Sequence, residues 1–301
     1  MLGLGALALS RPLGMARAET GAETGSDSAL AFLPIRYSTM LVRIGGVSVL
    51  IDAGFADALR LQGLAAAPPA PVSPRQLGPI DLLLVTSNDP GCVDAQSLAQ
   101  LDLRDAFCLA GDEGAGRRLQ QAGVRRVRVV SPGDRVSVRG LDVDCSPGRA
   151  LWGGRGVGYR VSSRAGRTLW HTGTLSPLSV DASPAVFARL NRSEVVACCA
   201  QGLRVRGDSG ALTMDRADAL ALAQLCGARA ALPLLTDARP AGLAGWVLET
   251  EPNPRPTDML GPAGGKAPQH VIESRPGVWF QLAPAPAARR RGNAALGPQS
   301  G

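Results

Sequence analysis

The side chains best equipped for chemistry cluster in one stretch, Thr86-Ser87-Asn88-Asp89-Pro90-Gly91-Cys92-Val93-Asp94. It follows Ile80–Val85, a nearly unbroken apolar run of the kind found in strands buried on both faces. A rigid strand that opens into a polar loop positions the loop's side chains, which is why binding and catalytic groups gather there. Asp89 and Cys92 offer a carboxylate and a thiol, a pair that suits zinc. A thiol is also a nucleophile once a base activates it. The plainer reading makes Asp89 a turn former in Asn88-Asp89-Pro90-Gly91 and Cys92 a small buried hydrophobe. Histidine is the scarce resource: the chain has two, His171 and His270. A hydrolytic zinc site ordinarily takes two or three imidazoles with carboxylates or thiolates, and no Cys-x-x-Cys pair stands in for them.

Composition narrows the class. At 301 residues and 45% hydrophobic content the chain can bury a substantial core. Its net charge of +7 is almost wholly arginine, Lys266 being the only lysine. The arginines are scattered rather than gathered in a stripe, and two tyrosines and five phenylalanines leave little for base stacking. Nucleic acid is therefore not expected as a partner. The cysteines Cys92, Cys108, Cys145, Cys198, Cys199 and Cys226 lie mostly in or beside apolar runs, and a disulfide framework is not expected with this much core. A serine-hydrolase centre is also excluded, because the G-x-S-x-G elbow is absent and Gly207-Asp208-Ser209-Gly210 lacks its spacing.

The N-terminus carries an apolar stretch, Leu2–Leu9, then Ala16-Arg17-Ala18, the pattern that ends a secretory signal. Export to the periplasm is the expectation, with a cytoplasmic protein bearing an Ala-rich leader as the alternative. No later segment has the ~20 apolar residues needed to span a bilayer.

The elements around the polar loop alternate between strand and helix patterns. Tyr37–Ile44 and Val47–Ile51 read as a hairpin closed by Gly45-Gly46. Ala95–Leu101 reads as a short helix with Asp94 as N-cap, and Glu113–Ala122 as a second helix stopped by Gly123. Val124–Val130, Arg135–Val138, Leu141–Cys145, Val157–Val161, Thr168–Thr174 and Glu194–Ala200 read as strands. Arg216–Cys226 is a helix candidate capped by Asp215, leading to an apolar run at Ala231–Leu235. Gly153, Gly154, Gly156 and Gly158 precede a strand rather than open a helix, so they are no dinucleotide fingerprint. Pro240–Gly265 is Pro/Gly-rich and reads as irregular, with a final strand at Val278–Leu282.

This order resembles the metallo-β-lactamase fold, in particular its ascorbate-6-phosphate-lactonase-like branch. In that family the strand enters T-H-x-H-x-D-H-x-D, whose histidines and aspartate hold one or two metal ions. Here Thr86 and Asp94 match, while Ser87, Asp89, Gly91 and Cys92 occupy the four ligand positions. The family's P-x-R-H is matched by Pro147-Gly148-Arg149 with Ala150 in place of the imidazole. Its strand ending G-D-T is matched by Thr168–Thr174, with Gly173 at the bridging aspartate. Thr213-Met214-Asp215 resembles its T-M-D/P segment, and Ala231–Leu235 its A-L-P-x-H, with Leu235 in the last histidine position. Arg36-Tyr37-Ser38 stands where G-H-A would, and Ile51-Asp52-Ala53 where I-D-P would.

The resemblance implies an α/β fold of the four-layer αββα type, placed over residues 29–282; the signal-like pattern and the composition add a leader at 1–28 and a disordered tail at 283–301. It also implies a metal centre whose ligands are mostly missing. Three donors remain: Asp89, Cys92 and His171, the last expected to share a strand face with Gly173 at ~6–7 Å along the strand. The first expectation is a catalytically degenerate member with a structural, ligand-binding or partner-binding role. It would need no cofactor, and its partner is an unidentified small molecule or protein. The alternatives are a zinc hydrolase using Asp89, Cys92 and His171, or a metal-free enzyme in which His171 activates Cys92.

Overall fold

Two consecutive glycines, Gly45 and Gly46, take left-handed φ values of 58° and 74° and close the first hairpin, as a two-residue turn between twisted strands requires. A computed structural model describes residues 29–55, 69–150, 154–173, 193–207, 212–234, 240, 244–250, 270–272 and 275–283. The leader at 1–28, the tail beyond 283, Leu151–Gly153 and Leu235 lie outside the described residues.

One sheet contains β1 (Leu30–Arg36), β2 (Thr39–Ile44), β3 (Val47–Ile51), β4 (Leu82–Val85), β5 (Phe107–Ala110), β6 (Val127–Val129) and β16 (Phe280–Leu282). Its order is β16-β1-β2-β3-β4-β5-β6. The other contains β7 (Arg135–Val138), β8 (Leu141–Arg149), β9 (Arg155–Ser163), β10 (Thr168–His171), β11 (Val195–Cys199), β13 (Ala230–Leu234) and β15 (His270–Val271), ordered β15-β13-β11-β10-β9-β8-β7. Each sheet begins as an antiparallel meander and ends in parallel pairs. Parallel neighbours need crossovers. Helices α1 (Ala95–Leu98), α2 (Glu113–Gln121) and α3 (Arg216–Leu225) lie in them, capped by Asp94, Asp112 and Asp215 through bonds accepted from Ser97, Ala115 and Asp218 amides.

Alternation along the strands sorts the apolar side chains into three layers. Met40, Val42, Val49, Ile51, Leu82 and Leu84 face Val143, Val157, Tyr159, Leu169, Ala197 and Leu232 between the sheets. Leu41, Leu50, Leu83 and Val85 point the other way and pack on Leu98, Ala115 and Leu119 of α1 and α2. Trp170, Val196, Cys198 and Ala231 meet Ala219, Leu222 and Ala223 of α3. Three hydrophobic seams between four layers give the αββα sandwich.

Several local readings need correction. Leu30–Arg36 is a strand of its own, and the expected Tyr37 start is instead a tight turn, with Tyr37 at φ 51°. Ser146–Arg149 continues β8, because it pairs with β9 through Arg149↔Arg155. His270, for which no element was expected, lies in β15 beside Ala230. Within Pro240–Gly265 a helical turn, α4 (Ala244–Val247), leads into β14 (Leu248–Glu249), which pairs with β12 (Arg204–Val205). All six cysteines are free and buried.

Leu84 is fully buried in the inter-sheet layer at the strand that feeds the polar loop. Leu84→Ala should lower stability by about 2–5 kcal/mol in chemical denaturation. Gln120→Ala on the exposed side of α2 should change it by about 0.5 kcal/mol at most.

Candidate functional site

The polar loop leaves β4 at the point where the two sheets close on each other, so its first residues are dry. Thr86, Ser87 and Asp52 are fully buried. Asp52 ends β3 with φ 56°, a conformation aspartate tolerates better than most side chains. That turn aims its carboxyl at Thr86. The Thr86 amide donates to Oδ1 at 2.8 Å, and the Thr86 hydroxyl lies 2.9 and 3.0 Å from the two carboxyl oxygens. Burial pushes the Asp52 carboxyl up to about 7, against hydrogen bonds from Ser38, Thr86 and Cys92 that pull it down.

Cys92 returns into this cluster. Its Sγ lies 3.4 Å from the Thr86 hydroxyl, 3.5 Å from that of Ser87 and 3.8 Å from that of Ser38. Burial, with the Asp52 and Asp89 carboxyls close by, raises the thiol well above its usual range. A thiolate is the reactive form of cysteine, and this environment disfavours it. The loop is fastened to β3 by the Ala53 amide, which donates to the Cys92 carbonyl at 2.6 Å. A Cβ on Gly54 would overlap the Gly91 carbonyl, so both backbones depend on that glycine.

His171 reaches the same cluster from the opposite sheet. Its Nε2 lies 2.8 Å from the Ser38 carbonyl, and the Gly173 amide donates to Nδ1 at 3.0 Å. The two contacts define a neutral ring with the proton on Nε2. Burial drives the imidazole down to about 4, the Ser38 bond opposing it. The expected shared face of His171 and Gly173 is corrected here. β10 stops at His171, and Gly173, at φ 74°, folds its amide back onto the ring. A Cβ on Gly173 would lie 3.1 Å from Thr86 Cβ.

The sequence-derived positions thus fall into two neighbouring groups. Ser87, Cys92, Gly173 and His171 join the buried cluster, together with Asp52, Thr86 and Ser38. Asp89 and Ala150 instead border an open cavity of about 340 Å³ with Asn88, Asp112, Gly114, Arg117, Gly154 and Arg155. Gly91 supplies only backbone against Gly54, and Leu235 lies outside the described residues. Asp52 and Ser38 were visible in the sequence only as framework matches. The available signal for Asp52 was an acid placed directly after the apolar strand Val47–Ile51.

With the geometry in hand, the relatives are informative. The family model of the beta-lactamase superfamily domain matches residues 48–234, more than half of the chain. The chain belongs to the metallo-β-lactamase-fold superfamily. Among solved structures it is similar to a "possible metal-dependent hydrolase" from Veillonella parvula, with a TM-score of 0.66 at 13% identity, covering 84% of this chain and 100% of that one. It is also similar to the metallo hydrolase Igni18 from Ignicoccus hospitalis, at 0.61 and 16%, covering 85% and 99%. A third is an isothiocyanate hydrolase from Delia radicum gut bacteria, at 0.54 and 18%, covering 68% and 84%. No curated protein matches the chain.

The superfamily's metal can be tested against the donors present. Ser87 offers a hydroxyl turned to Cys92, and Gly91, Ala150 and Gly173 offer no side-chain donor. Both nitrogens of His171 are engaged by backbone. Among the described residues no group of three or more His, Cys, Asp or Glu is placed to hold an ion. The described residues at the superfamily's ligand positions therefore do not match its usual donor set.

Two measurements follow from the buried cluster. The folded Asp52 keeps a proton that the unfolded chain releases above about pH 4. Its contribution to stability is full below that value and is lost as pH rises toward about 7. His171 runs oppositely: its contribution is present above about 6.5 and is lost as pH falls toward about 4. Wild-type stability should therefore vary little across this window. Asp52→Asn should expose a rise with pH approaching about 1.4 kcal/mol per pH unit, and a falling or flat profile in that variant contradicts the assignment. Gly173→Ala should cost at least about 1 kcal/mol from left-handed backbone, more if Thr86 cannot shift.

Proposed function

We propose that this chain is a non-catalytic member of its superfamily, a binding scaffold in which hydrogen-bonded packing occupies the place of a metal centre. One observation carries the reading: of the three donors that remain at or near the family's ligand positions, Cys92 and His171 are already engaged within the protein. His171 holds two backbone groups of different segments, the Ser38 carbonyl and the Gly173 amide. Cys92 is surrounded by hydroxyls and lies close to two acids. Recruiting either for a metal or for nucleophilic attack would leave buried polar groups without partners, at about 1–3 kcal/mol each.

The competing reading is a hydrolase with zinc held by Asp89, Cys92 and His171. It draws support from the nearness of Asp89 to Cys92 and from Ser38, which touches both Cys92 and His171. It requires the imidazole to give up one of its backbone partners. A metal-free Cys92–His171 pair faces the same obstacle, since neither ring nitrogen is turned to the thiol.

Metal content of protein purified with and without added zinc decides between the readings. The scaffold reading expects far less than one zinc per chain, a melting temperature indifferent to chelator, and no change in zinc content in Cys92→Ala or His171→Ala. Stoichiometric zinc lost in both variants, with chelator-sensitive hydrolysis, overturns it.

A further inference from the structure

The cavity beside the buried cluster lies at the carboxyl ends of β4 and β5, where open α/β sheets commonly receive ligands. Its volume of about 340 Å³ falls within the range of small-molecule sites, about 300–1,000 Å³. Part of that space exists because small residues line it: Ala150 and Gly154 sit together in its wall, with the Ala150 amide donating to the Gly154 carbonyl at 2.9 Å.

Its charges are unevenly committed. Asp112 spends both carboxyl oxygens on backbone, accepting from Ala115 at 2.8 Å and from Asn88 at 2.7 Å. Asp89 is 9% exposed and close to Cys92. Arg117 on α2 and Arg155 at the start of β9 are exposed, and among the described residues neither guanidinium has a partner. A larger recess of about 430 Å³ at the opposite ends of the same strands shows the contrast. There Arg104 is paired with Asp102 at 2.9 Å and Arg139 donates to the Asp105 carbonyl at 2.7 Å, which leaves Arg126 alone of its three arginines without a partner among the described residues.

We infer that the Asn88–Asp112–Ala150 cavity binds a small organic oxyanion, a carboxylate or a phosphate monoester, between the Arg117 and Arg155 guanidiniums. The inference rests on the non-catalytic reading and gives that scaffold a ligand class. Guanidinium is suited to both anions because its forked donors match two oxygens at once. A compact body fits the volume, and the methyl of Ala150 gives it an apolar contact.

The test is calorimetric titration of the full chain, freed of metal by chelation, with inorganic phosphate, phenyl phosphate and benzoate at physiological salt. Saturable binding of at least one organic probe is expected, weakened tenfold or more in Arg117→Ala and in Arg155→Ala and unchanged in Arg104→Ala. Asp89→Asn, which removes negative charge from the cavity, should tighten it. Preference between phenyl phosphate and benzoate assigns the anion, and binding of inorganic phosphate alone overturns the organic ligand. Binding that ignores both arginine substitutions also overturns the inference. Zinc measured in the same preparation before chelation separates two failures. Stoichiometric zinc defeats the non-catalytic reading and this inference with it, whereas zinc-free protein that binds no probe defeats this inference alone.

Discussion

The constraint that governs this molecule is the dryness of the seam where its two sheets meet. Strand ends carry backbone donors and acceptors that water would ordinarily satisfy, and here water is shut out by side chains from both sides. The protein answers with cross-sheet ties. The Tyr159 hydroxyl donates to the Val85 carbonyl at 2.8 Å, the Val157 amide to the Thr86 carbonyl at 2.9 Å, and His171 bonds the Ser38 carbonyl. Asp52 adds a lateral tie between β3 and the start of the loop. The Val85 carbonyl also accepts from the Gly111 amide at 2.8 Å, so the tie there chiefly serves the buried Tyr159 hydroxyl.

That requirement gives residues with chemical potential a structural task in the seam. A histidine whose two nitrogens bridge backbone segments is useful in its neutral form, and burial holds it there. A carboxyl placed against a threonine and a thiol is pushed up to about 7 by the same burial. The open cavity next to the cluster is different, since its arginines face water and are committed to nothing within the described chain.

Much of the fold was legible in the sequence. The glycine pair of the first hairpin, the apolar run into the polar loop and the aspartate caps are local signals, and their elements form where those signals lie. β1 was harder to see because it is buried nearly throughout, with Leu30, Phe32, Leu33 and Ile35 lacking regular alternation across a bulge at Pro34–Arg36. The site was legible as positions but not as contacts. Counting along β10 placed His171 and Gly173 on one face, and only a left-handed glycine, set by tertiary packing against Thr86, redirects the chain. Arg117 and Arg155 reach one cavity from a helix and from a strand nearly forty residues away, and no local pattern announces it.

Gly173 has one more implication, which concerns reversibility. Its backbone conformation disfavours any β-carbon, and the space a side chain would enter is held by Thr86. An acidic residue introduced there alone would meet a steric and conformational penalty before any ion could reward it. Gly54 is closed in a similar way, since a Cβ there would overlap the Gly91 carbonyl. Seen as a fitness landscape, the backbone at this one position is a basin with steep walls on the side of any larger residue.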